Sequence, residues 1–357
     1  MSVSELTRNV SHVHVGLLNE LMRTMAKRIS IKARDYLGLF IALTFVKAIA
    51  SIFISFYGDN IFGGGSDADY YHEYAIGATE NAVNAWPIIL RALNEISIYS
   101  RAGVSHGIKF IGFIIIPLLI AQLSTVRGSQ FKLRLFWLAA LISGSYPTII
   151  FFTNDIYRDI FMIFCWLLGL FVFQFLSKRP AMLERIFAYS LGLIFSIVLF
   201  SLRPYLGVAY LAALLLSGSF SMRHNHLAFS LAALIAFLFI SYMIGALQPL
   251  LEYRAGFSEG GVGGSTLGIT FSSPMQFVPD LIKSTGFQLF GLYFNSGPSV
   301  FAFVSESIPF SLLLGYVIKN RRHTNRFIDY LVVFFVVYSA FWLLGNDNLH
   351  CRTLENF

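Results

Sequence analysis

Charge is scarce in this chain. Only 13% of its 357 residues are Asp, Glu, Lys or Arg, against about 25% in a soluble domain. Too little polar surface is left to solvate a globule of this size. With 56% hydrophobic residues and a mean hydropathy of +0.67, the composition points to a polytopic membrane protein. Cysteine is nearly missing as well. Cys165 and Cys351 stand alone, with no spacing that suggests a metal site or a disulfide framework. There is no P-loop, no G-x-G-x-x-G at a strand–helix junction, no H-E-x-x-H and no G-x-S-x-G, so neither ATP-driven chemistry nor a zinc protease is indicated. No internal repeat is visible, which speaks against a secondary transporter. The first 34 residues are polar and basic ("RTMAKRISIKAR") without an h-region. They predict a cytoplasmic lead-in rather than a cleavable leader.

What is there is a series of apolar runs, each near the 17–25 residues that span a bilayer. They lie at about Tyr36–Tyr57, Gly107–Leu123, Leu133–Phe152, Ile160–Leu176, Ile186–Leu202, Tyr205–Phe220, Leu227–Leu247, Val300–Ile318 and Phe327–Leu344. The expected fold class is all-α: a polytopic transmembrane helical bundle of about nine spans, with a long external loop carrying short helices. Residues 1–35 form a cytoplasmic basic segment, and residues 36–357 a transmembrane domain with external loops 58–106 and 248–298. The segment "GFQLFGLYF" is too short to span and reads as a re-entrant or buried half-helix.

The charges give the orientation. The N-terminus and the loops "RGSQFKLR", "KRPAMLER", "MRHNH" and "KNRRHTNR" are basic, and they alternate with loops that are not. Basic short loops face the cytoplasm, so a net charge of +7 reports topology and not nucleic-acid binding. The N-terminus is then cytoplasmic and the C-terminus external.

The external face collects Asp67, Asp69, His72, Glu73, Asp155, Arg158, Asp159, Arg203, Arg254 and Asp347. Carboxylates there could bind a hard cation or act as a base, and arginines could clamp phosphate oxygens. In "GGGSDADYYHEYA", Asp67 and Asp69 are two apart in what reads as an extended loop. Alternatively, one of them caps a helix beginning near Tyr70. In "FFTNDIYRDIFMIF", a helix starting at Asp155 would put Asp155, Arg158 and Asp159 on one face, either as a site or as an intrahelical ion pair. Arg203 in "FSLRPYLG" is the sharpest single residue: it is ionisable near membrane depth, and Pro204 breaks the helix beside it. Lys47 and Lys109 interrupt apolar runs. Lys109 can snorkel. Lys47 is mid-span, where a structural ion pair and a functional role both fit. His72 and His106 are bases or simply hydrogen-bonded.

This pattern resembles the bacterial membrane enzymes that handle lipid-linked sugars. "LRPY" and "NDIYRD" are similar to arginine sites of Wzy-type polymerases of O-antigen and capsule. "GSDADYY" resembles the acidic first-loop motif of GT-C transferases. The resemblance implies an inner-membrane glycosyltransferase that polymerises undecaprenyl-diphosphate-linked oligosaccharide units in lipopolysaccharide or capsule synthesis. It also implies partners in the bilayer, a flippase and a chain-length regulator. Asp67 or Asp69 would be the base, and Arg203, with Arg158 or Arg254, would stabilise the departing diphosphate. Tyr71, His72, Asp155, Asp159 and Asp347 would contact substrate, and loop 248–298 would close over it. No cofactor is implied, with a divalent cation left open. The alternatives are a GT-C transferase adding one sugar and a lipid-linked oligosaccharide flippase. A flippase should carry polar residues through the whole membrane, whereas here they gather on one face. "GNDNLHCRTLENF" follows the last run where such polymerases continue, so the chain either ends there or is cut short.

Overall fold

A computed structural model describes residues 33–57, 65–125, 132–176, 182–216, 226–248, 251, 269, 271, 273–292, 294, 300–301, 303–319 and 326–344. Among the described residues the regular structure is helical throughout, with no strand. The helices are α1 (Ala33–Tyr57), α2 (Gly65–Ala75), α3 (Ala85–Glu95), α4 (Arg101–Phe110), α5 (Ile116–Ser124), α6 (Lys132–Gly144) and α7 (Thr148–Thr153). They continue with α8 (Arg158–Leu176), α9 (Met182–Leu202), α10 (Pro204–Leu216), α11 (His226–Met243), α12 (Pro274–Ser284), α13 (Ile308–Lys319) and α14 (Arg326–Leu344).

Three stretches are long and apolar enough to cross a membrane: Ala33–Ile54, Arg101–Ser124 and Met182–Leu202. The chain is therefore a membrane-associated protein of multi-pass character. The nine expected spans are corrected to three among the described residues. Further apolar helices, such as Leu133–Gly144 and Pro204–Leu216, are shorter. The reason is local. Apolar composition does not set helix length; backbone breaks do. The run at 133–152 is cut at Ser145–Pro147 into α6 and α7. The half-helix expected at 286–294 instead continues α12 as a π-helical turn, Thr285–Leu289.

The 101–124 span is one continuous rod with a π-helical turn, Ile111–Ile115, between α4 and α5. Pro117 supplies the cause. It has no N–H to give the Phe113 carbonyl, and the ladder widens just before it, with Ile116 N–H reaching Ile111 O. Gly112 lets α7 lie against this turn, since a Cβ there would fall 2.6 Å from the Thr153 methyl.

Packing runs α1–α6–α5–α8–α9–α10–α14. The main core joins Leu90, Ile116, Ile156, Ile160, Leu170, Leu199, Tyr210 and Tyr330. A smaller cluster around Phe277 and Leu238 ties α12 to α11. α4–α5 and α8 run side by side in the same direction. Arg101 meets Asp155 at one end, and Gln174 donates to Leu123 O, 3.1 Å away, at the other. The tight return from α9 to α10 brings Gly207 within 2.5 Å (measured from an added Cβ) of the Phe200 backbone, an approach that leaves no room for a side chain.

A charged candidate site at one end of the bundle

The segment Asn154–Asp159, between α7 and α8, is the hub. The end of α1, the start of α4 and the end of α9 all reach it. Ser51 donates to Asn154 Oδ1 at 2.9 Å, Arg101 pairs with Asp155, and Arg203 faces Asp159 at 3.6 Å. Each of the three membrane-length stretches thus sends one end to the same place, so the charges share one membrane face.

Local sequence explains the approach. Ser100 caps α4 by accepting from Gly103 N–H at 3.0 Å, which sets Arg101 in the first turn. Asn84 caps α3, accepting from Trp86 N–H at 2.9 Å. The Trp86 indole donates to Ile156 O at 2.7 Å, fastening α3 to the hub. Asp155 turns back on its own segment and accepts from Ile156 N–H at 2.8 Å. Arg101 then grips both Asp155 oxygens, Nε at 2.9 Å and Nη2 at 2.5 Å, and its Nη2 also lies 2.7 Å from Asp69. The fork geometry makes this a specific two-carboxylate clamp.

The expected arrangement changes in its details. Asp67 and Asp69 lie inside α2, which begins at Gly65 rather than near Tyr70. Two apart on a helix, they point to different faces. Asp69 goes to Arg101, and Asp67 is exposed. Asp155 lies before α8, so Asp155, Arg158 and Asp159 do not form one helical face. Asp155 serves Arg101, Asp159 serves Arg203, and buried Arg158 lies near Tyr71. Arg203 is 8% exposed in the α9–α10 break, with its guanidinium 5.4 Å from the Tyr205 ring centre. His72 Nδ1 is 2.8 Å from the Tyr99 hydroxyl, and the two rings stack. His106 bonds back to Ala102 O at 2.6 Å. Arg254 and Asp347 lie outside the described residues.

Tyrosines surround the charges. Burial pushes the Tyr71 phenol up to about 12; nearby Arg158 opposes the shift, and Asp67 adds to it. Burial also pushes Tyr157 up to about 12, reinforced by Asp155, Asp67 and Asp69. Tyr99 is raised for the same first reason. These phenols stay neutral at physiological pH and keep both donor and acceptor capacity. Among the described residues no three His, Cys, Asp or Glu side chains converge as a metal site requires. The divalent cation left open above finds no ligand set there.

Sequence reasoning missed Arg101, the centre of the clamp. Its signal was present: an arginine directly after a serine able to cap a helix, in the same external loop as Asp67 and Asp69. It also missed Glu306, whose carboxylate accepts from the Thr148 backbone N–H at 2.7 Å, at the start of α7.

Fold and site together define a helical membrane-associated protein with a charged, tyrosine-lined end. No family model, no curated protein and no solved structure matches the chain. The resemblance to Wzy-type polymerases and GT-C transferases is therefore corrected. It rested on a nine-span topology, where the described residues hold three membrane-length helices, and no match supports it. The polymerase function that followed from it falls with it.

Proposed function

We propose that this chain binds a lipid-linked saccharide at the external surface of a bacterial plasma membrane, with its N-terminus in the cytoplasm. The carrying observation is the convergence of Asp69, Asp155 and Asp159 with Arg101 and Arg203 at the common end of the three membrane-length stretches. Carboxylates accept from sugar hydroxyls, and the half-buried rings of Tyr70, Tyr99 and Tyr157 offer faces to sugar rings. Exposed Ile76, Ile88, Ile96 and Ile98 on and around α2 and α3 continue the apolar surface beside the network. That supports a site at headgroup level, where a lipid-linked ligand presents its polar end. The basic loops at the chain's other turns support the orientation. An undecaprenyl-diphosphate-linked oligosaccharide has the required form.

The proposal includes an enzymatic role. Asp67 is the exposed carboxylate of the cluster that the Arg101 clamp does not hold, and it suits proton transfer to or from a saccharide hydroxyl.

The test is native mass spectrometry of the protein in nanodiscs. Undecaprenyl-diphosphate-linked oligosaccharide is offered against sugar-free undecaprenyl phosphate. Preferential retention of the sugar-bearing lipid, lost in Asp155→Asn, is the expected result. Equal retention of both lipids overturns the reading.

A further inference from the structure

A second polar feature lies one layer deeper. Lys47 is only 2% exposed in the middle of α1. Its Nζ has no hydrogen-bond partner among the described residues and sits 4.7 Å from the Phe113 ring centre, above the π-helical turn. An ammonium at such a position is costly and marks a site by default. One turn toward the network, Ser51 of α1 donates to Asn154 Oδ1 at 2.9 Å, and Ser105 of α4 donates to Asn154 O at 3.1 Å. One turn below Ser105, Lys109 Nζ donates to its hydroxyl at 3.2 Å. Phe113 is one turn further on. The two helices run antiparallel here, so Lys47–Ser51 and Ser105–Lys109–Phe113 form facing rails bridged by Asn154.

The cations of this region divide by partner. Arg101 is matched by Asp69 and Asp155, and Arg203 faces Asp159. Lys47 and Lys109 make no ion pair among the described residues. The nearest acid acting on Lys109 is Asp155, which Arg101 already clamps on both oxygens. Two ammoniums on these facing rails suit a doubly charged oxyanion. The diphosphate of a lipid-linked saccharide carries one negative charge on each phosphate, and a phosphate monoester such as an alkyl phosphate carries about −1.5 to −2 near neutral pH, where a carboxylate needs only one cation. π-helical turns recur at functional positions, and this one carries Phe113, the ring that faces Lys47 Nζ.

We propose that Lys47 and Lys109, with Ser51, Ser105 and Asn154, form an oxyanion pocket for the phosphate of a membrane amphiphile. The pocket deepens the lipid-linked reading above and rests on it for the identity of the amphiphile. Asn154 joins these rails to the charged network, so the phosphate lies at the lysines while the saccharide stays at the carboxylates and tyrosines.

The probe is hexadecyl phosphate in phosphatidylcholine nanodiscs, with hexadecanol as the neutral control and inorganic phosphate as the soluble one. Retention is read by native mass spectrometry and protection by thermal unfolding. Wild type retains hexadecyl phosphate over hexadecanol. Lys47→Met and Lys109→Gln each weaken it by about tenfold or more, and Lys47→Arg keeps it. Lys47→Met also raises the unfolding midpoint of the empty protein, because an unpartnered buried charge is removed. Undiminished retention in Lys47→Met and Lys109→Gln overturns the pocket. Equal protection by inorganic phosphate overturns the amphiphile. The probe carries no sugar, so failure of the saccharide reading leaves this assay unaffected.

Discussion

The charged end and the α8–α10–α14 core both bury polar atoms, and they treat them in opposite ways. At the charged end, Arg101 and Arg203 each face carboxylates. In the core, the hydroxyls of Tyr210 and Tyr330 are buried with no hydrogen-bond partner among the described residues. Their rings meet edge to face at 5.9 Å, and Phe173 packs on Tyr330 at 4.5 Å. The core is thus chosen for aromatic volume, and the charged end for polar matching. In lipid, helices gain nothing from hydrophobic transfer against one another and associate through packing and hydrogen bonds. The core should therefore respond to changes of volume and the charged end to changes of charge.

The largest effect sharpens the core side. A Cβ at Gly169 would sit 2.7 Å from the Tyr210 hydroxyl, and the buried ring has nowhere to go. Gly169→Val should cost on the order of 3 kcal/mol by overpacking, read as loss of monodisperse protein in detergent gel filtration. Folding with an unchanged midpoint would break the volume account. The next effect tests the other side. Asp155→Ala removes both clamp bonds and leaves Arg101 with Asp69 alone. It should cost about 1–3 kcal/mol, held to the lower half because the pair is part exposed. Raised salt should narrow the gap between variant and wild type, and no such response is expected for Gly169→Val.

Much of the charged end was legible in sequence. Acids and arginines stood on loops opposite the basic ones, and Asp69, Asp155, Asp159 and Arg203 do meet there. Their partners were not legible. Pairing Asp155 with Arg101 needs the α4–α8 packing, which spans 54 positions of chain. The run at 133–152 was read as one helix because hydropathy is blind to a break such as Ser145–Pro147. Lys47 was seen as a mid-span charge, but which helix it faced is tertiary information. The core pair Tyr210 and Tyr330 gave no signal, since a tyrosine in an apolar run reads like any other aromatic.

A smaller effect is expected in alkali. Tyr71 is held neutral up to about 12 in the fold, against about 10 when unfolded. The folded state therefore binds the proton more tightly. Its stabilising contribution is complete below pH 10 and declines as pH rises from 10 to 12. At pH 11 the loss is on the order of 1 kcal/mol. The thermal midpoint should fall over that range, and in Tyr71→Phe it should fall less steeply. Identical slopes would show that the phenol does not feel its burial.

The smallest expected effect is the one that most directly breaks the comparison. If the core selects volume alone, removing the Tyr330 hydroxyl removes a buried polar atom without a partner and leaves the ring stacked on Phe173. Deleting a polar group already unsatisfied costs no hydrogen bond, and the void left is about the size of one oxygen. Tyr330→Phe should change stability by less than about 0.5 kcal/mol, or raise it slightly. The same change at Tyr210 should behave alike, and the double variant should be additive because no bond joins the two hydroxyls. A loss above about 1 kcal/mol in either single variant, or strong non-additivity in the double, would mean that the hydroxyls are bonded after all, to each other or through a trapped water. The core would then be a polar-matched region like the charged end, and the contrast between the two would not hold.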